Sequence, residues 1–250
     1  MPRLNQENGM ETRNIGGGNF TFTGARIAGL GATEYTLVTV AVDVTGSTAG
    51  FADELRAMLV ASVEACKKSP RSDNLLLRAI LFSTHVGGVQ ELHGFKPLIE
   101  IDPNAYPVFH PDGMTPLYDA TYSAIGALVE YGADLMANDY LANGIAFIIT
   151  DGLNNVGTAT PKMILEKIAS VQSEEKLESL LTILVGINAG VYEKQLLGFQ
   201  QAAGIDKYID AGDATKAKLA KLAAFVSQSV SSQSQALGTG GPSQNIQAVI

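Results

Sequence analysis

The chain of 250 residues has a single cysteine, Cys66, so no disulfide can form within it. That suits a reducing compartment. No apolar run approaches the ~20 residues needed to cross a bilayer. The N-terminus lacks the charged-then-apolar pattern of a secretion signal, so the sequence reads as cytoplasmic, without a membrane partner. Basic residues are few: 17 Lys and Arg against 25 Asp and Glu, a formal net charge of −8. A surface of that sign is a poor general partner for nucleic acid. Only three histidines are present, His85, His93 and His110. None is spaced as a metal pair or as a triad with Cys66, which leaves zinc and cysteine-nucleophile chemistry without support. There is no Walker A sequence, and the glycines between Gly24 and Gly31 are wrongly spaced for a dinucleotide fingerprint.

One absence is local. Between Pro97 and Pro161 there is no Lys or Arg, while Glu100, Asp102, Asp112, Asp119, Glu130, Asp134, Asp139 and Asp151 all fall there. Such a segment favours a bound cation over a bound phosphate. For most of these carboxylates a solvated acidic face is explanation enough. Asp151 differs because it ends an apolar run.

Strand and helix signals alternate. Tyr35 to Val42, Leu75 to Phe82, Gly144 to Thr150 and Leu180 to Val185 are apolar runs of strand length. Val89 to Leu92 fits a short antiparallel edge strand, with His93 to Leu98 leading into a loop, and Lys207 to Ile209 fits a last short strand. Helical spacing appears in Phe51 to Lys68, where Leu55, Met58, Leu59, Ser62, Val63 and Cys66 form one stripe. Cys66 therefore reads as a core residue. Further helices are expected over Pro116 to Met136, Pro161 to Gln172, Tyr192 to Ala203 and Ala214 to Ser231. The alternation predicts an α/β fold: a doubly wound, mainly parallel sheet with helices on both faces. The expected organisation is an N-terminal extension over residues 1–33, a domain over 34–230, and a flexible or partner-ordered tail over 231–250.

The strongest functional signal is Asp43-Val-Thr45-Gly-Ser47, directly after the first long strand. Ligands of open α/β sheets bind at the carboxyl ends of strands. A carboxylate and two hydroxyls at alternate positions, without His or Cys, suit a hard cation. Two later segments repeat the logic. Thr115-Pro-Leu-Tyr-Asp-Ala opens a helix, with Thr115 a good N-cap and Pro116 at the first helical position. Phe147-Ile-Ile-Thr-Asp151-Gly is another apolar strand ending in a carboxylate. Capping and turn formation would account for Thr115 and Ser47 without any metal. Asp119, in the first turn of its helix, is explained by the helix dipole.

In this order the three segments resemble the metal-ion-dependent adhesion site of the von Willebrand factor A family, of an intracellular bacterial or phage type, over about residues 34–230. The resemblance implies that Asp43, Thr45, Ser47, Thr115 and Asp151 bind one divalent cation, Mg²⁺ with Mn²⁺ or Ca²⁺ possible, where the family more often has Ser in place of Thr45. It further implies a non-enzymatic protein-binding module whose partner completes the coordination with a carboxylate. Two other readings stand beside it. One is a metal-independent structural or assembly subunit of the same fold. The other is a Mg²⁺-dependent aspartyl-phosphate phosphotransferase, because Asp43-Val-Thr-Gly-Ser also resembles the nucleophile loop of haloacid-dehalogenase-type enzymes. That chemistry needs a Lys shortly before the later acidic motif, and none lies between Lys96 and Asp151. The terminal segments, Met1 to Ala32 and Ser231 to Ile250, show no obvious amphipathic face. They are expected to mediate self-association or docking to a larger complex, with Phe20 to Thr23 adding a strand to a sheet edge, the chain's own or a neighbour's, and with the tail ending in apolar Ile246, Val249 and Ile250.

Overall fold

The alternating apolar runs and amphipathic helices assemble into one eight-stranded sheet covered on both faces, in a computed structural model that describes residues 9–16 and 19–239. In chain order the elements are β1 (Met10–Asn14), β2 (Thr21–Ala25), β3 (Glu34–Asp43), α1 (Ala52–Lys67), β4 (Leu75–Ser83), β5 (Gly88–Pro97), α2 (Leu117–Met136), β6 (Leu141–Thr150), α3 (Pro161–Ser173), β7 (Ser179–Gly186), α4 (Glu193–Ala203), β8 (Lys207–Asp210) and α5 (Lys216–Thr239). The strands lie in the order β1-β2-β5-β4-β3-β6-β7-β8. From β4 through β8 on the far side, every neighbour is parallel.

Burial on both faces explains the unbroken apolar strands. Even-numbered residues of β3, Val38, Val40 and Val42, pack with α1 and α5 on one face. Odd-numbered Tyr35, Leu37 and Ala41 pack with α2 on the other. The α1 stripe read from the sequence is the buried one, and desolvation pushes the Cys66 thiol up to about 12, so it is an inert core group. After β3 the chain adds β4 on one side, and later β6 on the other. The strand order therefore reverses at β3/β6, which opens a crevice at their carboxyl ends.

The expected antiparallel strand is β5, paired with β4, and it extends well past Leu92. Gly94 and Pro97 suggest a loop, yet both serve the strand. A Cβ on Gly94 would lie 2.0 Å from the Thr23 carbonyl oxygen, so only glycine lets β2 approach this closely. Pro97 is the last strand residue. Beyond β5 lie β2 and β1. Residues of the N-terminal segment thus enter the core, contrary to the expectation from its composition: Ile15 and Phe22 are buried, and Phe22 packs edge-on to Phe95 and Tyr131. The strand at Phe20 to Thr23 forms, as β2, in the chain's own sheet.

The C-terminal boundary also differs. Helix α5 continues through residues 231–239, and Gln233, Ser234 and Ala236 are buried. The Ser- and Gln-rich composition suggests a flexible tail, but the segment finds polar partners for its backbone and for Ser234. Asn143 Nδ2 donates to the Gln233 carbonyl at 2.9 Å, and Arg71 Nε donates to Ser234 Oγ at 2.9 Å. Residues 240–250, with the apolar terminus at Ile246, Val249 and Ile250, lie outside the described residues.

Sequence reading gives no role to Arg78, midway along β4. It is fully buried, and its Nε donates to Glu91 Oε1 at 2.6 Å. Its other nitrogens donate to the Ser123 carbonyl and hydroxyl at 3.1 and 3.2 Å. Glu91 in turn accepts from the Thr23 amide and hydroxyl. One ion pair therefore joins β2, β4, β5 and α2.

Candidate metal centre

The crevice at β3/β6 is built from three loops. Asp43 is the last residue of β3 and Asp151 immediately follows β6. Asp43 Oδ1 accepts the Thr45 amide at 2.9 Å, and its Oδ2 accepts the Thr150 hydroxyl at 2.7 Å. Its carboxylate is thus fixed by the loop it opens and by the neighbouring strand. Ser47 Oγ donates to Asp151 Oδ1 at 2.8 Å and lies 3.2 Å from Thr45 Oγ1. A hydroxyl and a carboxylate separated by 104 residues in sequence meet here.

Thr115 arrives on a third segment, the approach to α2. Its amide donates to Asn155 Oδ1 at 2.7 Å, and its carbonyl accepts the Asn155 amide at 3.1 Å. Just before it, Gly113 O accepts the Gly46 amide and Asp112 N–H donates to Val44 O. The approach to α2 is therefore bonded to both other loops. Gly113 has φ +79°, and a Cβ there would lie 2.5 Å from Thr84 Oγ1, so a side chain would break the cradle.

Capping does not use these hydroxyls. The N-cap of α2 is Pro116, one residue later than expected, and no side chain of the cap accepts a hydrogen bond. Asn154 Oδ1 instead accepts the Tyr118 amide at 2.9 Å, so Asn154 and Asn155 satisfy the α2 entrance from the β6–α3 loop. Thr45 caps the short 3₁₀ turn Gly46–Phe51 without a side-chain bond. Among the described residues no protein group engages the Thr115 hydroxyl. In sequence Asn154 and Asn155 merely follow Asp151. Their capping role requires a helix distant in sequence and is invisible without the fold. Asn155→Ala removes the acceptor of the Thr115 amide. It is expected to cost about 1 kcal/mol, as lost caps do, in urea denaturation, and to weaken cation binding severalfold by loosening Thr115. Unchanged binding and stability would contradict this role.

Two other acidic residues have different tasks. Asp119 Oδ1 accepts the amides of Thr158 and Ala159 at 2.9 and 2.7 Å, which ties the β6–α3 loop to α2. Asp112 Oδ1 accepts the Gly113 amide, and its Oδ2 lies 3.6 Å from His85 Nδ1. Among the described residues no three His, Cys, Asp or Glu side chains gather at one point. The side chains in contact are Ser47 with Asp151 and Thr45, with Asp43 held beside them by the Thr45 amide, while Thr115 joins through the backbone bonds of its segment.

Asp43, Thr45, Thr115 and Asp151 are buried, whereas Ser47 is exposed at the mouth. Burial raises the Asp43 carboxyl to about 6; its hydrogen bonds from Thr45 and Thr150 oppose this, and the Asp151 charge adds to it. Burial likewise raises Asp151, with Ser47 opposing. Neither shift has a basic side chain among its causes. Two dehydrated carboxylates that repel each other, with hard oxygen neighbours and no Lys or Arg in the surrounding loops, form a donor set that fits a divalent cation.

No protein-family model and no curated protein matches the chain. Solved structures do resemble it. Proximal thread matrix protein 1 from the mussel byssus superposes with a TM-score of 0.52 at 15% identity, covering 80% of this chain and 47% of that one. A second structure of that protein, TM-score 0.50 at 15% identity over 78% of this chain and 46% of that one, has a zinc-occupied MIDAS motif. The PilB minor pilin of Streptococcus sanguinis matches with 0.53 at 13% identity over 92% of this chain and 68% of that one. This chain thus spans about half the length of the mussel protein. The likeness is one of fold: a von Willebrand factor A-like, doubly wound sheet. Among the described residues, no helix is long and apolar enough to cross a membrane.

Proposed function

We propose that this chain is a non-enzymatic, divalent-metal-dependent protein-binding module, with Asp43, Thr45, Ser47, Thr115 and Asp151 as the metal-holding residues. The observation that carries the reading is the bonding of three loops to one another with hydroxyls left over from capping: Ser47 bonded to Asp151, and the Thr115 hydroxyl without a partner among the described residues. Three neutral hydroxyls offset little of a cation's charge. Bound there, Mg²⁺, or Mn²⁺ or Ca²⁺ in its place, supplies an electrophilic point that accepts one carboxylate from a partner protein. The chain's own residues hold the donors in place: Thr150 orients Asp43, Ser47 orients Asp151, and Asn155 orients Thr115.

Calorimetric titration with Mg²⁺ and Mn²⁺ tests the site. Wild type is expected to bind one ion, and Thr115→Ala to bind at least ten-fold more weakly. Equal binding by both would remove Thr115 from the set, and no binding by wild type would favour the metal-independent assembly subunit. The phosphotransferase alternative makes a different demand. The protein is expected to leave a generic phosphate ester untouched in Mg²⁺, because the loops around Asp43 hold no Lys or Arg for the phosphoryl oxygens. Turnover that vanishes in Asp43→Asn would reverse that assignment. The buried lone cysteine supports the cytoplasmic placement, while a pilin among the structural neighbours favours the cell surface; fractionation of the native host separates the two. Strand β2 pairs within the chain's own sheet, which leaves β1 as the edge through which the N-terminal arm would self-associate or dock to a larger complex.

A further inference from the structure

Large apolar side chains are exposed at several places, and three of them bracket the candidate metal centre. Met114 is 51% exposed, Val191 80% and Tyr192 39%. Met114 sits over the carboxyl end of β4: its amide donates to Thr84 Oγ1, and its carbonyl accepts the Thr84 amide. Val191 and Tyr192 follow the carboxyl end of β7 and precede α4. The site lies between them, over β3 and β6. By contrast, exposed Leu141 begins β6, and exposed Ile99 follows the antiparallel β5, so both lie at the opposite end of the sheet.

Spacing gives these shoulders a meaning. Neighbouring strands are about 4.8 Å apart, so β4 and β7, three steps apart, are separated by about 14 Å. In an extended peptide, residues −2 and +2 around a central residue are about 13 Å apart, and all three side chains point to one face. The loops at this end, residues 43–51, 84–87, 110–116, 151–160 and 187–192, contain no Lys or Arg, and they carry Asp112 at the surface beside Met114. Acidic neighbours on a ligand would be repelled there.

Resting on the metal-dependent reading above, we infer that the partner docks an extended segment of the form apolar-x-carboxylate-x-apolar, with basic rather than acidic flanks. The carboxylate enters the centre, one apolar side chain covers Met114, and the other covers Val191 and Tyr192.

The probes are capped nine-residue peptides with Lys at each end and a central Asp. One carries Leu at −2 and +2, one Ser there, one Leu at −1 and +1, and one the first pattern with Glu ends. Binding is followed by fluorescence anisotropy in Mg²⁺ and in chelator. The Leu −2/+2 peptide is expected to bind at least ten-fold tighter than each of the others, in Mg²⁺ only. Met114→Ser and Val191→Ser are each expected to lose at least three-fold of that preference while their Mg²⁺ affinity, measured by calorimetry, stays at the wild-type value. If Mg²⁺ binds but no peptide is preferred, or none binds up to 1 mM, or the variants keep the preference, this docking mode fails and the metal centre stands. If wild type binds no Mg²⁺, the metal reading itself fails and takes the docking mode with it.

Discussion

Replacing Asp43 with Asn is expected to abolish divalent-cation binding and, in chelator at pH 8, to make the protein more stable. Asp43 is almost completely buried, and its carboxyl is raised to about 6 from an ordinary 3.8, first by loss of solvation and in part by Asp151. The sign follows from proton linkage. The folded state holds this proton more tightly than the unfolded state. The stability it contributes is therefore present below about pH 4 and is lost as pH rises through about 6, a difference on the order of 3 kcal/mol. Asparagine carries no charge. Its Oδ1 can still accept the Thr45 amide, and its amide nitrogen can donate to the Thr150 hydroxyl, which has the Gly152 carbonyl at 3.3 Å as another acceptor. A gain of about 1–2 kcal/mol, several degrees in Tm for a chain of this size, is expected at pH 8 and none at pH 4. Saturating Mg²⁺ should reverse the order: at a hundred-fold excess over Kd it stabilises wild type by about 2.7 kcal/mol and leaves the variant unmoved. Thermal melts of both proteins in chelator and in Mg²⁺ at the two pH values give the answer. An Asn variant less stable than wild type in chelator at pH 8 would refute the claim that this carboxylate is held at a cost for a cation.

The second large effect lies far from the site. Glu91→Leu is expected to destabilise the protein by about 3–5 kcal/mol, because it leaves the fully buried Arg78 guanidinium without its counter-charge. Burial already disfavours that charge, and Glu91 is what opposes the effect. The same change deprives the Thr23 amide and hydroxyl of their acceptor, so protection of β2 against hydrogen exchange should fall with it. Arg78→Met combined with Glu91→Leu should recover at least half of the loss, since an apolar pair replaces an orphaned charge. Urea denaturation of the two single variants and the double variant measures the coupling. A loss below about 1 kcal/mol for Glu91→Leu would show that water reaches the guanidinium and that the pair is ornamental to the fold.

Local chemistry was enough to determine a good deal. The four long strand runs and the α1 stripe are patterns of burial, and burial of a parallel strand or of one helix face is written directly in residue type. The order of the motifs at strand ends was equally legible, and so was the absence of Lys and Arg around them, because charge sign and the strand-to-loop boundary are sequence properties. What composition could not show is where a polar or glycine-rich segment finds its partners. Gly94 and Pro97 read as loop residues until β2 is seen lying against them. The Ser- and Gln-rich stretch after Ser231 reads as a tail until Asn143 and Arg71 are brought against it. Arg78 is one charge in an apolar run until Glu91 and Ser123 surround it. The division is clearest at the candidate centre. Sequence named Asp43, Thr45, Ser47, Thr115 and Asp151, but it left the hydroxyls equally suited to capping. Only the packing of three loops gave the α2 entrance to Asn154 and Asn155 and turned Ser47 toward Asp151, because a hydrogen bond between residues 104 apart depends on the fold that closes the distance.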